Sequence, residues 1–371
     1  MSISPMSIST QALFQPFTLN HLTLPNRLVM APMTRSKSPG GVPGNNVAAY
    51  YRRRAEGGTG LLITEGTWIP HATAGSMPDV PRFYGDDALA GWQQVVNEVH
   101  AAGGHIFPQL WHTGIAASRN APEGFVTASP SGLWMPGDKR GEPLTQVDID
   151  SIIAAYGIAA SSAKALGFDG VEIHGAHGYL IDQFLWDGTN QRTDHYGGDL
   201  VARTRFAVEV IQEVRRNVGP DYPVALRFSQ WKMQDYDAKL ARTPEELGAM
   251  LQPLVAAGVD IFHCSTRRFW EPEFVGSKLN LAGCTKQLTG KPTITVGSVT
   301  LNEVFTTTSR SDEGASTTGI DELIERLERH EFDLVAIGRS LIVNPDWPKL
   351  VQRGALNELK PFQKDVLKEL V

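Results

Sequence analysis

The run HGAHGYL (174–180) sets two imidazoles three residues apart, with a phenol two residues further on. Two histidines can start a metal site. Zinc needs a third or fourth ligand, however, and no such spacing lies nearby; His330-Glu331 is followed by Phe-Asp-Leu, so H-E-x-x-H is absent. Alternatively, His174 and His177 can donate paired hydrogen bonds to one substrate oxygen and polarise it. Tyr179, with a reference pKa of ~10, would then be a protonated donor beside them. A pair of core histidines with a packing tyrosine is the structural alternative. Gly297-Ser298 and Gly338-Arg339-Ser340 offer two glycine turns, two hydroxyls and one guanidinium, a set suited to a phosphate. Against that, glycines end many strands, and Arg339 could be a surface charge. Arg227 interrupts an apolar run, VALRFS, and a buried guanidinium needs an anionic partner. An ion pair with Glu172 would meet that need. Thr34 and Gln109 are unremarked polar residues taken singly.

Elements must bring these residues together. Eight short apolar runs recur: 28–33, 60–65, 105–110, 170–174, 224–229, 260–265, 293–297 and 333–338. Helical patterns separate them, notably 86–102, 145–166, 202–218 and 243–257. Strand-helix-strand repetition predicts a parallel α/β sheet, and eight units favour a closed (β/α)8 TIM barrel. An open dinucleotide-binding sheet would want G-x-G-x-x-G after an early strand, and that spacing does not occur. The segment FQPFTLNHLTLPNR is expected to form an N-terminal hairpin closing the barrel bottom, and the Ser/Thr-rich stretch 306–318 a surface loop. Long loops after strands 3, 4 and 6 are candidate substrate walls. Thr34, Gly66, Gln109, Trp111, His174, Arg227, Gly297 and Gly338 then fall at strand ends, where barrel active sites are built.

Composition removes other classes. Lys and Arg number 34 against 40 Asp and Glu, a net charge of −6, which argues against a nucleic-acid binder. With 42% apolar and 20% charged residues the 371-residue chain can bury a large core. Cys264 and Cys284 can make neither a disulfide scaffold nor a four-cysteine zinc site. No apolar run reaches the ~18 residues of a membrane span, and MSISPMSIST lacks the features of a signal peptide. A cytoplasmic protein is expected, with no membrane or nucleic-acid partner.

Together these residues resemble the old yellow enzyme family, the FMN-dependent ene-reductases. The likeness runs from PNRLVMAPMTR to AIGRSLIVNPDW, and HGAHGYLIDQF and NQRTDHYGG are its most specific parts. The resemblance implies one FMN-binding barrel domain over residues 1–371, with NADPH or NADH as electron donor and an activated alkene as substrate. It implies flavin contacts from the main chain at Ala31, Pro32, Met33 and Gly66 and from Thr34, Gln109 and Arg227. Gly297, Ser298, Gly338 and Arg339 would hold the FMN phosphate. His174 and His177 would bind the substrate oxygen, Tyr179 would protonate the α-carbon, and Trp111 and Trp270 would shape the pocket. Ile115 and Trp186 stand where many relatives carry arginine, and both are expected at the site rim. Three alternatives stay open: a flavin barrel oxidising a saturated acid, a non-catalytic flavoprotein, and a cofactor-free phosphate-binding lyase.

Overall fold

Strands apolar on both faces need cover on both sides. The computed structural model, which describes residues 9–119, 121–304 and 314–371, provides that cover by closing them into a parallel barrel. First comes an antiparallel hairpin, β1 (Phe17–Leu19) and β2 (Leu22–Leu24). The barrel strands are β3 (Leu28–Met30), β4 (Leu61–Trp68), β5 (His105–Trp111), β8 (Val171–His177), β9 (Val224–Lys232), β10 (Ile261–Ser265), β11 (Thr293–Val296) and β12 (Leu334–Ile337). They pair in chain order, and β12 returns to β3. A small hairpin, β6 (Leu133–Met135) and β7 (Asp138–Lys139), lies in the loop after β5.

Helices surround the barrel: α1 (Asn45–Glu56), α2 (Asp86–Ala101), α3 (Gln146–Ala165), α4 (Leu180–Leu185), α5 (Arg205–Val218), α6 (Pro244–Ala257), α7 (Leu281–Thr289), α8 (Asp321–Glu328), α9 (Arg339–Val343) and α10 (Trp347–Gln352). Local chemistry sets their ends. Thr145 and Asp148 cap α3 reciprocally, and Thr243 caps α6 ahead of Pro244. A 3-10 turn, Ala202–Thr204, carries the chain into α5.

Side chains alternate across each strand, so every second one enters the barrel. Val29, Leu61, Phe107, Ala225, Ile261, Ile294 and Leu334 form an inner apolar cluster with Leu19, Leu22 and Leu24 of the hairpin. The hairpin therefore plugs the N-terminal end, as expected from sequence. Two residues further along β5, β9 and β10, the same alternation presents Gln109, Arg227 and His263. The barrel interior is thus apolar below and polar above, and that gradient builds the site.

The stretch 306–318 is described only from residue 314. Residues 305–313 lie outside the described residues, but Ala315 is buried and bridges Phe362, and Thr317 bridges Leu301. Ser316, Thr317 and Thr318 are exposed, in keeping with a surface loop that these bridges pin down. Ile115 and Trp186 are corrected: both are buried, and neither lines the cavity described below.

Candidate active site

A cavity of about 500 Å3 lies at the C-terminal ends of the barrel strands. Ala31, Pro32, Met33 and Thr34 line it after β3, and Gln109 and Trp111 line it from β5. His174, His177 and Tyr179 enter from β8 and the turn beyond it, and Arg227 from β9. Gly297 and Ser298 follow β11, while Gly338 and Arg339 follow β12. Two expected residues are not in the wall. Gly66 sits behind Trp111: a Cβ there would lie 2.3 Å from the indole Cε3, so glycine lets the ring lie against the strand. Trp270 packs edge-on against Phe269 at 5.1 Å, and its loop reaches the cavity through Thr266 and Arg267 instead.

The histidine cluster owes its shape to a kink. The β8–β9 register shifts between Gly175 and His177, and His177 has φ of 66°, in the left-handed region. Contacts hold it there. Its N–H donates to Ser229 Oγ at 2.9 Å, and Met233 N–H donates to its carbonyl at 3.3 Å. The next N–H, on Gly178, donates to Asp182 Oδ2 at 2.6 Å. Asp182 in turn pairs with Lys232 at 2.7 Å, with both side chains fully buried. The Lys232 ammonium also lies 6.0 Å above the ring of Trp186.

With the kink fixed, three rings converge. His174 and His177 stand edge to face, with centroids 5.2 Å apart. Tyr179 lies 4.9 Å from His174 and 6.5 Å from His177, and 4.9 Å from Trp111. Its hydroxyl donates to Met233 Sδ at 3.3 Å. Burial, then the positive Arg227, holds both histidines well below the usual imidazole range. Each is therefore neutral near pH 7 and has one N–H to donate.

Beneath them runs a buried polar layer. Gln109 Nε2 donates to Glu172 Oε1 at 2.7 Å, and Glu172 Oε2 meets His263 Nδ1 at 2.6 Å. Glu172 therefore uses both oxygens on these two, and the direct ion pair with Arg227 does not form. Arg227 Nη2 reaches Ser265 Oγ at 3.4 Å, while its buried Nε has no partner. Burial lowers the guanidinium pKa, and the Glu172 charge opposes that shift.

At β11 and β12, main chain replaces the expected hydroxyls. Ser298 Oγ donates to the carbonyls of Arg267 and Glu303, at 3.1 and 2.9 Å. Ser340 Oγ bonds the Val299 carbonyl and Thr300 Oγ1, at 3.1 and 2.8 Å. What remains for an anion is the glycine backbone and the rest of the Arg339 guanidinium, which also donates to the carbonyls of Glu303 and Val304 and whose pKa burial lowers to about 10. Gly297 has φ of 145°, and a Cβ there would come within 2.9 Å of Arg268 N. The donor set fits an elongated ligand with a polar ring edge near Gln109 and Arg227 and an anionic tail near Gly297 and Arg339.

Sequence reasoning missed several wall residues. Ser265 follows His263 by two and was readable from strand alternation. Trp231 and Met233 lie past the β9 segment read as strand, and Phe362 and Leu367 arrive from a distant segment with no local signal. Glu65 closes the run 60–65, and its carboxylate accepts the N–H groups of Arg35 and Ser36, at 2.8 and 3.0 Å, and so holds the turn after Thr34. Burial pushes its pKa up to about 7. Among the described residues no three His, Cys, Asp or Glu side chains converge to hold a metal ion, and no helix is long and apolar enough to cross a membrane.

Comparison with known proteins gives a consistent result. Residues 12–358 match the pattern of the NADH:flavin oxidoreductase / NADH oxidase family. The chain is 35% identical to 12-oxophytodienoate reductase 2 of Arabidopsis thaliana, over 92% of this chain and 89% of that one. Its fold is similar to morphinone reductase solved in complex with tetrahydroNAD, with a TM-score of 0.79 and 31% identity over 96% of this chain and 93% of the other. It is also similar to an old yellow enzyme homologue from Zymomonas mobilis, with a TM-score of 0.79 and 27% identity over 96% of both chains.

Proposed function

The chain belongs to the NADH:flavin oxidoreductase / NADH oxidase family, the old yellow enzyme family, and from that premise we propose that it is an FMN-dependent ene-reductase. Its substrates are α,β-unsaturated carbonyl or nitro compounds, and NADPH or NADH is the electron donor. One observation carries the reading: two neutral imidazoles and a phenol converge on the same cavity that Thr34, Gln109, Arg227, Gly297 and Arg339 line.

The residues fit FMN. Gln109 and the Nε of Arg227, which has no partner in the buried layer, would hold the polar edge of the flavin, and Thr34 a second edge. The backbone at Gly297 and Gly338, with Arg339, would hold the phosphate. Bound there, FMN supplies hydride transfer from the nicotinamide to the β-carbon of the alkene.

The protein does the rest. His174 and His177 donate to the substrate oxygen, where negative charge grows in the transition state. Burial, with Arg227 beside them, keeps both imidazoles neutral, so each has a single N–H to donate. Tyr179 delivers a proton to the α-carbon, within reach of the oxygen-binding pair. Trp111 packs edge-on against the phenol and limits where it can point.

The test is an anaerobic absorbance titration of purified protein. NADPH should bleach a bound flavin, and 2-cyclohexenone should restore its colour. A colourless preparation, or a reduced flavin that cyclohexenone leaves bleached, would defeat the reading.

A further inference from the structure

Two imidazoles that hold one oxygen must both turn an N–H toward it, and a neutral imidazole has only one. For His174 the backbone decides. Its Nδ1 accepts the N–H of Ala176 at 3.3 Å, so its proton sits on Nε2. For His177 the deciding contact is a residue that sequence reasoning did not single out. His177 Nε2 lies 2.8 Å from Ser265 Oγ, and Arg227 Nη2 donates to that same oxygen at 3.4 Å.

We propose that Ser265 is a positioning residue that fixes His177 as the Nδ1–H tautomer, the mirror of His174, so that the pair presents one N–H from each ring to a substrate oxygen. Proton accounting supports this. Arginine can only donate, so it occupies a lone pair of Ser265 Oγ. Ser265 has one proton to give, and the Nε2 of His177 is the remaining partner of that oxygen. In the opposite tautomer both neighbours would donate to Ser265. Its own proton, on a side chain only 2% exposed, would then have no acceptor, which is costly.

Other contacts make the arrangement rigid. Trp231 stacks on the His177 ring at 4.4 Å and 23°, covering one face and preventing a tilt away from Ser265. The same indole donates its Nε1–H to the Ser265 carbonyl at 3.1 Å, so the serine that orients the imidazole is itself fixed by the imidazole's stacking partner. Ser265 thus relays the position of the Arg227 charge to the ring that must stay neutral. The consequence for substrate binding rests on the function proposed above; the tautomer does not.

Long-range 1H–15N correlation spectra of protein labelled at histidine nitrogens read the tautomer directly, with His177 assigned through His177→Asn. The wild type should show a protonated Nδ1 and a bare Nε2, and Ser265→Ala should move the proton toward Nε2. On FMN-loaded protein, Ser265→Ala should weaken phenol binding about tenfold, the effect of one lost hydrogen bond to a charged oxygen, while Ser265→Thr restores it. A wild-type ring protonated at Nε2 would overturn the proposal, as would a Ser265→Ala protein that keeps both the wild-type spectrum and its phenol affinity. If the wild type binds no phenol at all, the functional reading fails, and the spectrum alone decides the assignment.

Discussion

Tyr179 is the residue on which the proposed division of labour is sharpest. Its phenol has no part in accepting electrons from a nicotinamide, but it sets an O–H on the cavity wall beside the imidazole pair, its ring 4.9 Å from that of His174. Tyr179→Phe should therefore slow alkene reduction by roughly 10²- to 10⁴-fold, the usual worth of a positioned general acid, while flavin reduction by NADPH stays near wild type. Stopped-flow absorbance separates the two half-reactions, and equal losses in both would remove Tyr179 from the proton-donor role. The histidines call for a binding measurement instead. His174→Ala combined with His177→Ala should abolish the long-wavelength absorbance band of a phenol bound over the flavin. Survival of that band would mean that other groups hold the oxygen. Both expectations depend on neutral imidazoles, and their cause is local: burial beside the Arg227 guanidinium.

Strands and turns decide whether these side chains meet at all. The turn carrying Tyr179 hangs from Asp182, whose charge is balanced by Lys232 at the end of β9. Lys232→Met would leave a buried carboxylate unpaired, which should cost about 3–5 kcal/mol by chemical denaturation; Lys232→Met with Asp182→Asn should recover much of that loss. Glu65 at β4 gives a pH-dependent counterpart. Its folded pKa, raised by burial to about 7, exceeds the ordinary carboxyl value of 4.5. The folded state therefore holds a proton that the unfolded state releases between these values. This contribution to stability is fully present below about pH 4.5 and is lost as pH rises through about 7, by roughly 3 kcal/mol in all. Melting curves of wild type and Glu65→Gln across that range should diverge in that direction, and parallel curves would contradict it. Such clamps also show where sequence reading stops. All eight barrel strands, the hairpin and the helices 86–102, 145–166, 202–218 and 243–257 were legible, because short apolar runs and period-3.6 patterns are local. The helices α1, α7 and α8 were not: α7 and α8 span only nine and eight residues, and α1 is polar, with three consecutive arginines in its last half. The HGAHGYL cluster was legible as motif, but the bulge that turns His177 into position depends on Ser229 and on Asp182 with Lys232. Nothing in the spacing of those residues reveals that they touch.

At the scale of the whole molecule, one side of the cavity is finished by chain far from any barrel strand. Phe362 and Leu367 line it, alongside Met33 and Arg339. Three arginines near the start of the barrel hold this late segment by its backbone. Arg35 donates to the carbonyls of Val366 and Glu369, at 3.3 and 2.6 Å. Arg53 donates to that of Leu370 at 2.6 Å, and Arg54 to the main-chain oxygen of Val371. Arg54 is fully buried over the ring of Tyr50, and it also donates to the carbonyls of Tyr50 and Ile342. Main-chain oxygens, not side-chain carboxylates, accept these bonds, while Arg35 Nη1, Arg53 Nε and Arg54 Nε have no partner among the described residues. The charges are therefore not tied up in exposed, salt-screened pairs, and the segment is held by direction as much as by attraction. Removing residues 364–371 should then do two things at once. It takes Leu367 from the wall, opening the cavity beside Met33, and it strips acceptors from Arg35, Arg53 and Arg54. The truncated protein should melt several degrees lower and release FMN at least about tenfold more readily, a loss of some 1.4 kcal/mol, when flavin fluorescence is followed on dilution. Arg54→Met tests the anchor apart from the wall, since it keeps Leu367 in the chain. It should lower the melting temperature more than it loosens the flavin. Truncation that leaves both melting and flavin release unchanged would mean that the barrel mouth closes without its last residues and that the three arginines serve only their own helix and loop.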